Sequence, residues 1–281
     1  MSTLRLGMVQ MTSAVDAREE NVAKALRYID EAVTEGAELV VLPEFFNSEY
    51  FYQWRDTAFL DRAEREDGPT ITAIRDKARE HGVAICATIL EEQGPGLYYD
   101  TAFLVHASGE VAGKYRKVHP GGSMSLEKLY FRGGSAFPTW SIKGFRVGVI
   151  ICYDHFFPEA ARSVAINRAE LILGPFAAPG VALPWESIMV TRAFENGVYL
   201  APCNKVGREG DWTFGGDSMV VGPRGDILAR AATDAEAVFV VELSLAEVHA
   251  ARRRFPMMRD RRPGAYSAIS ASDEVAHGLQ T

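Results

Sequence analysis

Three side chains capable of catalysis stand where strand-like runs of the sequence end. Glu44 follows "LVVLP", Lys117 follows "GKYR" and Cys152 follows "VGVII". Catalytic groups are often found at such positions, because the rigid backbone of a strand gives way there to an open loop. Each residue also has a purely structural interpretation, as a solvated carboxylate, a charged strand edge or a small buried hydrophobe.

Taken together, the three groups could carry out acyl transfer. A thiolate attacks a carbonyl or nitrile carbon, a carboxylate takes and returns protons, and an ammonium stabilises the oxyanion that develops. Cys152 differs from Cys86 and Cys203 in its position, since a helix is predicted to begin a few residues later. The N–H groups and dipole of that helix would favour a thiolate. The set therefore predicts cleavage of a carbon–nitrogen bond.

The spacing of apolar residues predicts the strands and helices that must position these groups. Helical spacing is found over residues 18–35, 70–81, 158–167 and 185–196. The strand before Cys152 is expected to run over residues 145–152. Tight strand pairs over residues 83–116 and 216–242 argue against a purely parallel barrel. We therefore predict an α/β fold of two packed mixed sheets with helices outside.

Length and composition limit the kind of protein. The 281 residues contain no linker-like tract, so one domain is predicted over residues 1–281, with an arm from about residue 245 onwards. A formal charge of −7 without a lysine-rich stripe argues against nucleic-acid binding. No apolar run approaches the ~20 residues that cross a bilayer, so no membrane association is expected. Three unclustered cysteines and the lack of a signal-peptide pattern favour a cytoplasmic protein.

Three segments resemble the motifs of one known family. They are "LVVLPEFF" around Glu44, "YRKVH" around Lys117 and "GVIICYDHFFPEAAR" around Cys152, separated by 73 and 35 residues. Their types, order and separations resemble those of the nitrilase superfamily of carbon–nitrogen hydrolases. Further similar segments are "EKLYFRGG", "RAFENGVYLAPCNKVG", "FGGDSMVVGPRGDIL" and "RDRRPGAY".

The resemblance implies a fold and a set of roles. The fold would be a four-layer α-β-β-α sandwich, present as a homodimer or higher homo-oligomer in which residues 245–281 cross to the partner. Cys152 would be the nucleophile, Glu44 the general base and Lys117 the oxyanion stabiliser. Glu127 matches a second glutamate that orients the lysine or assists proton transfer. The resemblance implies no cofactor.

Five residues are candidates for contact with a small amide or ureido substrate. The backbone N–H of Tyr153 would complete the oxyanion site, and His119 is expected to shape the pocket. His155 lies three residues after Cys152, a spacing that also suggests a cysteine–histidine pair or a metal site. We predict no metal, because no second cysteine or histidine cluster accompanies it. The remaining candidates are aromatic, Tyr50 and Phe156.

The residues after Cys152 indicate which branch of the family the sequence resembles. Cys-Tyr-Asp replaces the Cys-Trp-Glu of true nitrilases, which favours amide or carbamoyl hydrolysis. "PEFFNSEYFYQW" and "RDRRPGAY" are similar to the branch of N-carbamoylputrescine amidases and β-ureidopropionases. We predict an N-carbamoyl amine as substrate, with Glu49 or Asp211 as candidates to receive its distal ammonium. An aliphatic or ω-amidase, an N-carbamoyl amino acid hydrolase and an inactive binding homologue remain alternatives.

Overall fold

Two mixed β-sheets form the centre of the computed structural model, which describes residues 2–122, 125–179 and 184–271. Numbered along the chain, the strands of the first sheet are β1 (Thr3–Gln10), β2 (Leu39–Val41), β3 (Ala84–Gly94), β4 (Leu97–Val105), β5 (Val111–Arg116) and β14 (Ala237–Ser244). Their spatial order is β14-β1-β2-β3-β4-β5. Strands β1, β2 and β3 are parallel, and the outer pairs are antiparallel.

The second sheet repeats this arrangement of a parallel centre and antiparallel edges. Its strands are β6 (Thr139–Ile142), β7 (Phe145–Val149), β8 (Leu171–Phe176), β9 (Tyr199–Asn204), β12 (Met219–Val221) and β13 (Ile227–Arg230). They lie in the order β13-β12-β9-β8-β7-β6, with β7, β8 and β9 parallel. A separate hairpin is formed by β10 (Val206–Glu209) and β11 (Trp212–Gly215).

Helices cover the outer face of each sheet. The α-helices are α1 (Arg18–Thr34), α2 (Pro69–His81), α3 (Glu127–Tyr130), α4 (Pro158–Ile166), α5 (Trp185–Asn196), α6 (Leu245–Arg254) and α7 (Met257–Asp260). Short 3-10 helices occur at Phe51–Gln53, Thr57–Arg62, Cys152–Phe156, Pro263–Ala265 and Ser267–Ser270. Helices α1 and α2 pack on the first sheet, and α4 and α5 pack on the second. The predicted four-layer α-β-β-α sandwich is confirmed.

Alternation along the strands decides which side chains face the space between the sheets. On β4, Phe103 packs in the cluster formed with α1 and α2, whereas Ala102 and Leu104 pack with residues of the second sheet. Both faces of the sheet are therefore buried, which explains the nearly continuous apolar runs of its strands. By the same alternation, the polar side chain of Asp100 on β4 points into the space between the sheets.

The structure differs from the predicted elements in two places that matter for the site. The strand expected over residues 145–152 ends at Val149, because the backbone turns before Cys152. The hairpin of β10 and β11 was not predicted, and it is anchored by the buried pair Lys205 and Glu209, with Nζ to Oε1 at 3.0 Å. The Glu209 carboxylate also accepts a hydrogen bond of 2.6 Å from the N–H of Tyr50. The hairpin thereby holds the loop that follows Glu44.

The first part of the predicted C-terminal arm belongs to the body of the chain. Helix α6 buries Val248 and Ala251, and Val248 packs in the core cluster that contains the second sheet and its helices. Arg252 donates hydrogen bonds to the carbonyls of Gly197 at 3.0 Å and Ala169 at 2.6 Å. Residues 272–281 of the arm lie outside the described residues. Within the described ranges, no helix is both long and apolar enough to span a membrane.

Candidate active site

The amine of Lys117 lies at the centre of a buried cluster of carboxyl groups. Its Nζ is 2.8 Å from Oε1 of Glu44 and 2.6 Å from Oε2 of Glu127. A third carboxyl group, that of Asp100, has an oxygen 3.4 Å away. All four side chains are 5% exposed or less, so water screens their charges only weakly. The structure therefore brings together three of the four predicted catalytic side chains.

Backbone groups from the second sheet hold the carboxylate of Glu44, which follows β2 of the first sheet. The N–H of Glu44 donates to the carbonyl of Phe176, at the end of β8, over 3.3 Å. The next residue, Ala177, donates its N–H to Oε2 of Glu44 over 2.7 Å. These bonds fix one carboxylate oxygen and leave the other on the amine of Lys117.

Lys117 and Glu127 are also fixed by backbone hydrogen bonds. Lys117 follows β5, and its N–H donates to the carbonyl of Asp100 over 2.9 Å. Glu127 begins α3, and its Oε2 accepts the N–H of Gly121 over 2.8 Å. The hydroxyl of Ser125 donates to the other oxygen at 3.3 Å. The short helix α3 thus places the carboxylate of Glu127, held by these hydrogen bonds, beside the amine of Lys117.

Cys152 lies in the sharp turn between β7 and the 3-10 helix Cys152–Phe156. Its φ of 42° is in the left-handed region, which is uncommon for a residue with a side chain. The first N–H groups of the 3-10 helix have no partner within that helix. Nδ1 of His155 lies 3.1 Å from the carbonyl oxygen of Cys152 and supports the turn. Such strained backbone is concentrated at functional sites in proteins.

The surroundings of the Cys152 thiol favour its protonated form. Burial raises its pKa well above the ordinary value, and the charge of Glu44 raises it further, while Lys117 and the N–H of Ala177 act in the opposite direction. The expectation that helix N–H groups and a helix dipole would favour a thiolate is therefore wrong. The segment that follows is a single short 3-10 helix, and the thiol shares a buried site with carboxylates.

Asp154 is a buried residue of this site that the sequence analysis did not single out. Its Oδ1 accepts the N–H of His119 at 3.0 Å and contacts Nδ1 of the same residue at 2.7 Å. Its Oδ2 accepts the hydroxyl of Tyr115 at 2.6 Å and the N–H of Ile151 at 3.0 Å. The carboxylate therefore joins the loop after Lys117 to the turn of Cys152. An aspartate inside the apolar run "VIICYDHFF" was the available signal.

One of the predicted substrate-binding residues, Tyr50, lies near the cluster. It is 4% exposed, and its pKa is raised by burial and then by the charge of Glu127. Tyr153 and Phe156 are partly exposed, with ring centroids 5.6 Å apart. Both lie in the 3-10 helix that begins at Cys152.

The two predicted histidines occupy different environments. His119 is partly exposed and stacks on Phe157 with ring centroids 3.9 Å apart, while Asp154 fixes its Nδ1. His155 is fully buried against Phe176, and burial lowers its pKa to about 3. His155 is therefore neutral at physiological pH. It supports the turn at Cys152 and has no exposed surface that a substrate could contact.

The carboxylates suggested for a distal ammonium are placed unfavourably for that role. Glu49 is 2% exposed and forms an ion pair with the guanidinium of Arg62, so its charge is already neutralised. Asp211 is exposed in the turn between β10 and β11, where its N–H bonds to the side chain of Gln53. The pairing of Glu49 with Arg62, which the sequence did not reveal, argues against this role for Glu49.

The fold and this cluster define a class of protein. A thiol within electrostatic reach of a lysine that bridges two glutamates, between two sheets of an α/β sandwich, is suited to hydrolysis through a covalent thioester. The chain belongs to the carbon-nitrogen hydrolase family, whose model matches residues 5–253. It is thus a nitrilase-superfamily enzyme that acts on carbon–nitrogen bonds.

Individual relatives agree with this assignment over nearly the whole chain. A nitrilase of Pyrococcus abyssi is 36% identical over 86% of this chain and 90% of its own length. An N-carbamoylputrescine amidase of Solanum lycopersicum is 33% identical over 93% of both chains. The crystal structure of a carbon-nitrogen hydrolase from Helicobacter pylori G27 superimposes with a TM-score of 0.90 at 28% identity, covering 96% of this chain and 99% of the other.

Proposed function

We propose that the protein hydrolyses a small N-carbamoyl amine of the N-carbamoylputrescine type and releases ammonia. The observation that carries this proposal is the buried Lys117, bridged between Glu44 and Glu127 beside the thiol of Cys152. The similarity to N-carbamoylputrescine amidase over 93% of the chain supports the choice of substrate class.

In the first half of the proposed reaction, Glu44 takes the proton of the Cys152 thiol as its sulfur attacks the ureido carbonyl carbon. Lys117 and the N–H of Tyr153 stabilise the oxyanion of the tetrahedral intermediate. The intermediate collapses when the bond to the terminal nitrogen breaks, and Glu44 returns its proton to that nitrogen, which leaves as ammonia. The product of this half is a carbamoyl thioester on Cys152.

In the second half, a water molecule replaces ammonia beside Glu44. Glu44 removes a proton from the water as its oxygen attacks the thioester carbon, and the same two donors stabilise the second oxyanion. The carbon–sulfur bond then breaks, and the proton passes from Glu44 to the sulfur of Cys152. The released carbamic acid decomposes to carbon dioxide and amine. Glu127 holds the amine of Lys117 in place throughout.

The charge of the site favours a cationic or neutral substrate over an anionic one. Lys117 is the single cation in contact with Glu44, Glu127 and Asp100 among the described residues, so the cluster has an excess of acidic groups. A substrate carboxylate brought near this cluster would be repelled, and its burial without a counter-charge is costly. The preference for a cationic or neutral substrate therefore rests on the charge of the cluster and not on Glu49.

A panel of substrates tests the proposal. N-carbamoylputrescine is expected to exceed N-carbamoyl-β-alanine, an N-carbamoyl-D-amino acid and an ω-carboxamide acid in kcat/KM by at least about tenfold, which corresponds to about 1.4 kcal/mol. Ammonia release under identical conditions is the measurement, and the Cys152→Ala variant supplies the background rate. A carboxylate-bearing substrate with the highest kcat/KM would contradict the proposed class and assign an ω-amidase or an N-carbamoyl amino acid hydrolase instead.

We also propose that the single domain of residues 1–281 forms a cytoplasmic homodimer through its C-terminal arm. Apolar side chains of the arm and the adjacent helix are exposed in the single chain, 63% for Ile269, 44% for Phe255 and 37% each for Tyr266 and Phe194. The rings of Phe194 and Phe255 lie with centroids 5.5 Å apart, and exposed apolar side chains that cluster in this way are typical of an interface between subunits.

Replacement of Ile269 by aspartate tests the dimer. The Ile269→Asp variant is expected to weaken self-association by about tenfold or more, because a charge would be desolvated in the interface. Sedimentation velocity over a range of protein concentrations is the measurement. Leu228→Asp is the matched control, since Leu228 is 42% exposed on the edge strand β13 and is not part of the arm. Equal association of both variants and the unmodified protein would exclude the arm from the interface.

A further inference from the structure

The acidic groups around Lys117 exceed its single positive charge. Nζ of Lys117 has carboxyl oxygens of Glu127, Glu44 and Asp100 at 2.6, 2.8 and 3.4 Å. If all three carboxyl groups were ionised, two negative charges would be left uncompensated in a site that is nearly closed to water. Burial of unpaired charges is so costly that a group in this position takes up a proton instead.

Hydrogen bonds identify which carboxyl group carries that proton. Glu44 accepts from Lys117 and from the N–H of Ala177, and Glu127 accepts from Lys117 and from the N–H of Gly121. Asp100 is fully buried, and neither of its carboxyl oxygens accepts a hydrogen bond from any residue that the structure describes. Donors stabilise the ionised form of a carboxyl group, so Asp100 is the member of the set whose ionisation is least supported.

The surroundings of Asp100 agree with this distribution of charge. Burial raises its pKa well above the ordinary value, and the negative charge of Glu44 raises it further. Both carboxyl groups contact the same amine, that of Lys117, so a proton on Asp100 lies close to the Glu44 carboxylate. The titratable groups that face Asp100 are Glu44 after β2, Tyr115 and Lys117 at the end of β5, and Glu127 of α3.

We propose that Asp100 is a protonated positioning residue, whose carboxylic acid donates a hydrogen bond to the Glu44 carboxylate and adds no charge to the cluster. The donated bond keeps Glu44 ionised and oriented as the base. The neutrality of Asp100 leaves the amine of Lys117 free to respond to the oxyanion and avoids a further rise in the pKa of Cys152. The role for Glu44 rests on the proposed function, whereas the protonation state of Asp100 does not.

The pH dependence of thiol alkylation tests the protonation state without any substrate. Iodoacetamide would be reacted with the intact protein between pH 6 and 10, below the raised pKa of Cys152, where the rate is proportional to the thiolate fraction of this residue, since Cys86 and Cys203 are fully buried. Asp100→Asn exchanges a carboxylic acid for a neutral amide that still carries donors. At each pH its alkylation rate constant is expected within about twofold of that of the unmodified protein. A rise of about tenfold or more would show that an anionic charge had been removed and would overturn the proposal.

Steady-state kinetics test the positioning role separately. Asp100→Leu removes the donor and is expected to lower kcat about 10- to 100-fold, whereas Asp100→Asn, which restores a donor, should recover at least a third of the original kcat. Thr88→Val is the matched control, because Thr88 on β3 is another fully buried polar side chain whose hydroxyl lacks a partner. Equal losses in the Asn and Leu variants, or no loss in the Leu variant with the fold intact by melting temperature, would refute the role. If the unmodified protein hydrolysed no member of the substrate panel, the proposed function would fail while the alkylation result still decided the protonation state.

Discussion

Cys152→Ala is expected to abolish turnover, with kcat lowered by at least about 10⁴-fold, while the protein stays folded. Without the sulfur no thioester forms, and the remaining oxyanion donors give only weak catalysis of direct hydrolysis. The substitution removes one atom from a partly exposed residue, so the melting temperature should change little. Ammonia release and thermal unfolding of the same preparation are the measurements.

Cys86→Ala is the matched control for that variant. Cys86 is fully buried in the strand β3, where burial raises the pKa of its thiol to about 12, so it is inert at neutral pH. Its replacement should keep kcat within about twofold and cost about 1 kcal/mol of stability from the lost packing. Turnover that survives in Cys152→Ala, or that is lost only in Cys86→Ala, would contradict the assigned nucleophile.

Lys117→Met is expected to lower kcat by about 10²–10³-fold and to destabilise the fold at the same time. Loss of an oxyanion donor accounts for the effect on rate. Removal of the amine also leaves Glu44 and Glu127 buried without their shared counter-charge, a kind of change that typically costs about 3–5 kcal/mol. Initial rates below the melting transition separate the two effects.

Lys114→Met is the matched control for the lysine. Lys114 lies in the same strand β5, is 33% exposed and pairs with Glu91, which keeps a second partner in Arg116. We expect nearly unchanged kcat and a loss of stability of about 1 kcal/mol or less. A Lys117→Met variant that changed only KM would show that the amine binds substrate without stabilising the transition state.

Much of the fold followed from local patterns in the sequence. Helix α5 was predicted with the observed bounds, 185–196, and Gly197 ends it in a left-handed conformation with φ of 56°. The end of the strand β7 at Val149, before Cys152, was not predicted, since the run of apolar residues continues unbroken through the point where the backbone leaves the sheet. The spacing of apolar residues indicates which residues are buried. The residues that follow the end of the strand are still buried, so the pattern does not show where the strand ends.

The candidate site was predictable in its members but not in its electrostatics. Glu44, Lys117 and Cys152 stand at strand ends, which a linear sequence reveals. The protonation state of the thiol depends on which ionised groups share its buried site, and two of them, Glu44 and Lys117, follow different strands. Likewise the pairing of Glu49 with Arg62 depends on a loop and a 3-10 helix that meet only in the folded chain.

The proposed base and the proposed nucleophile are carried by different sheets, Glu44 beyond β2 of the first and Cys152 beyond β7 of the second. They are far apart in the sequence, so their separation is set by the packed side chains between the two sheets. Close-packed interiors deform little, so the packing between the sheets fixes the distance between the carboxylate of Glu44 and the sulfur of Cys152. Heat, pressure or a cavity in this layer would therefore change the distance between Glu44 and Cys152. The reaction rate would fall even if the substitution or condition acted far from the site, well before the protein unfolds.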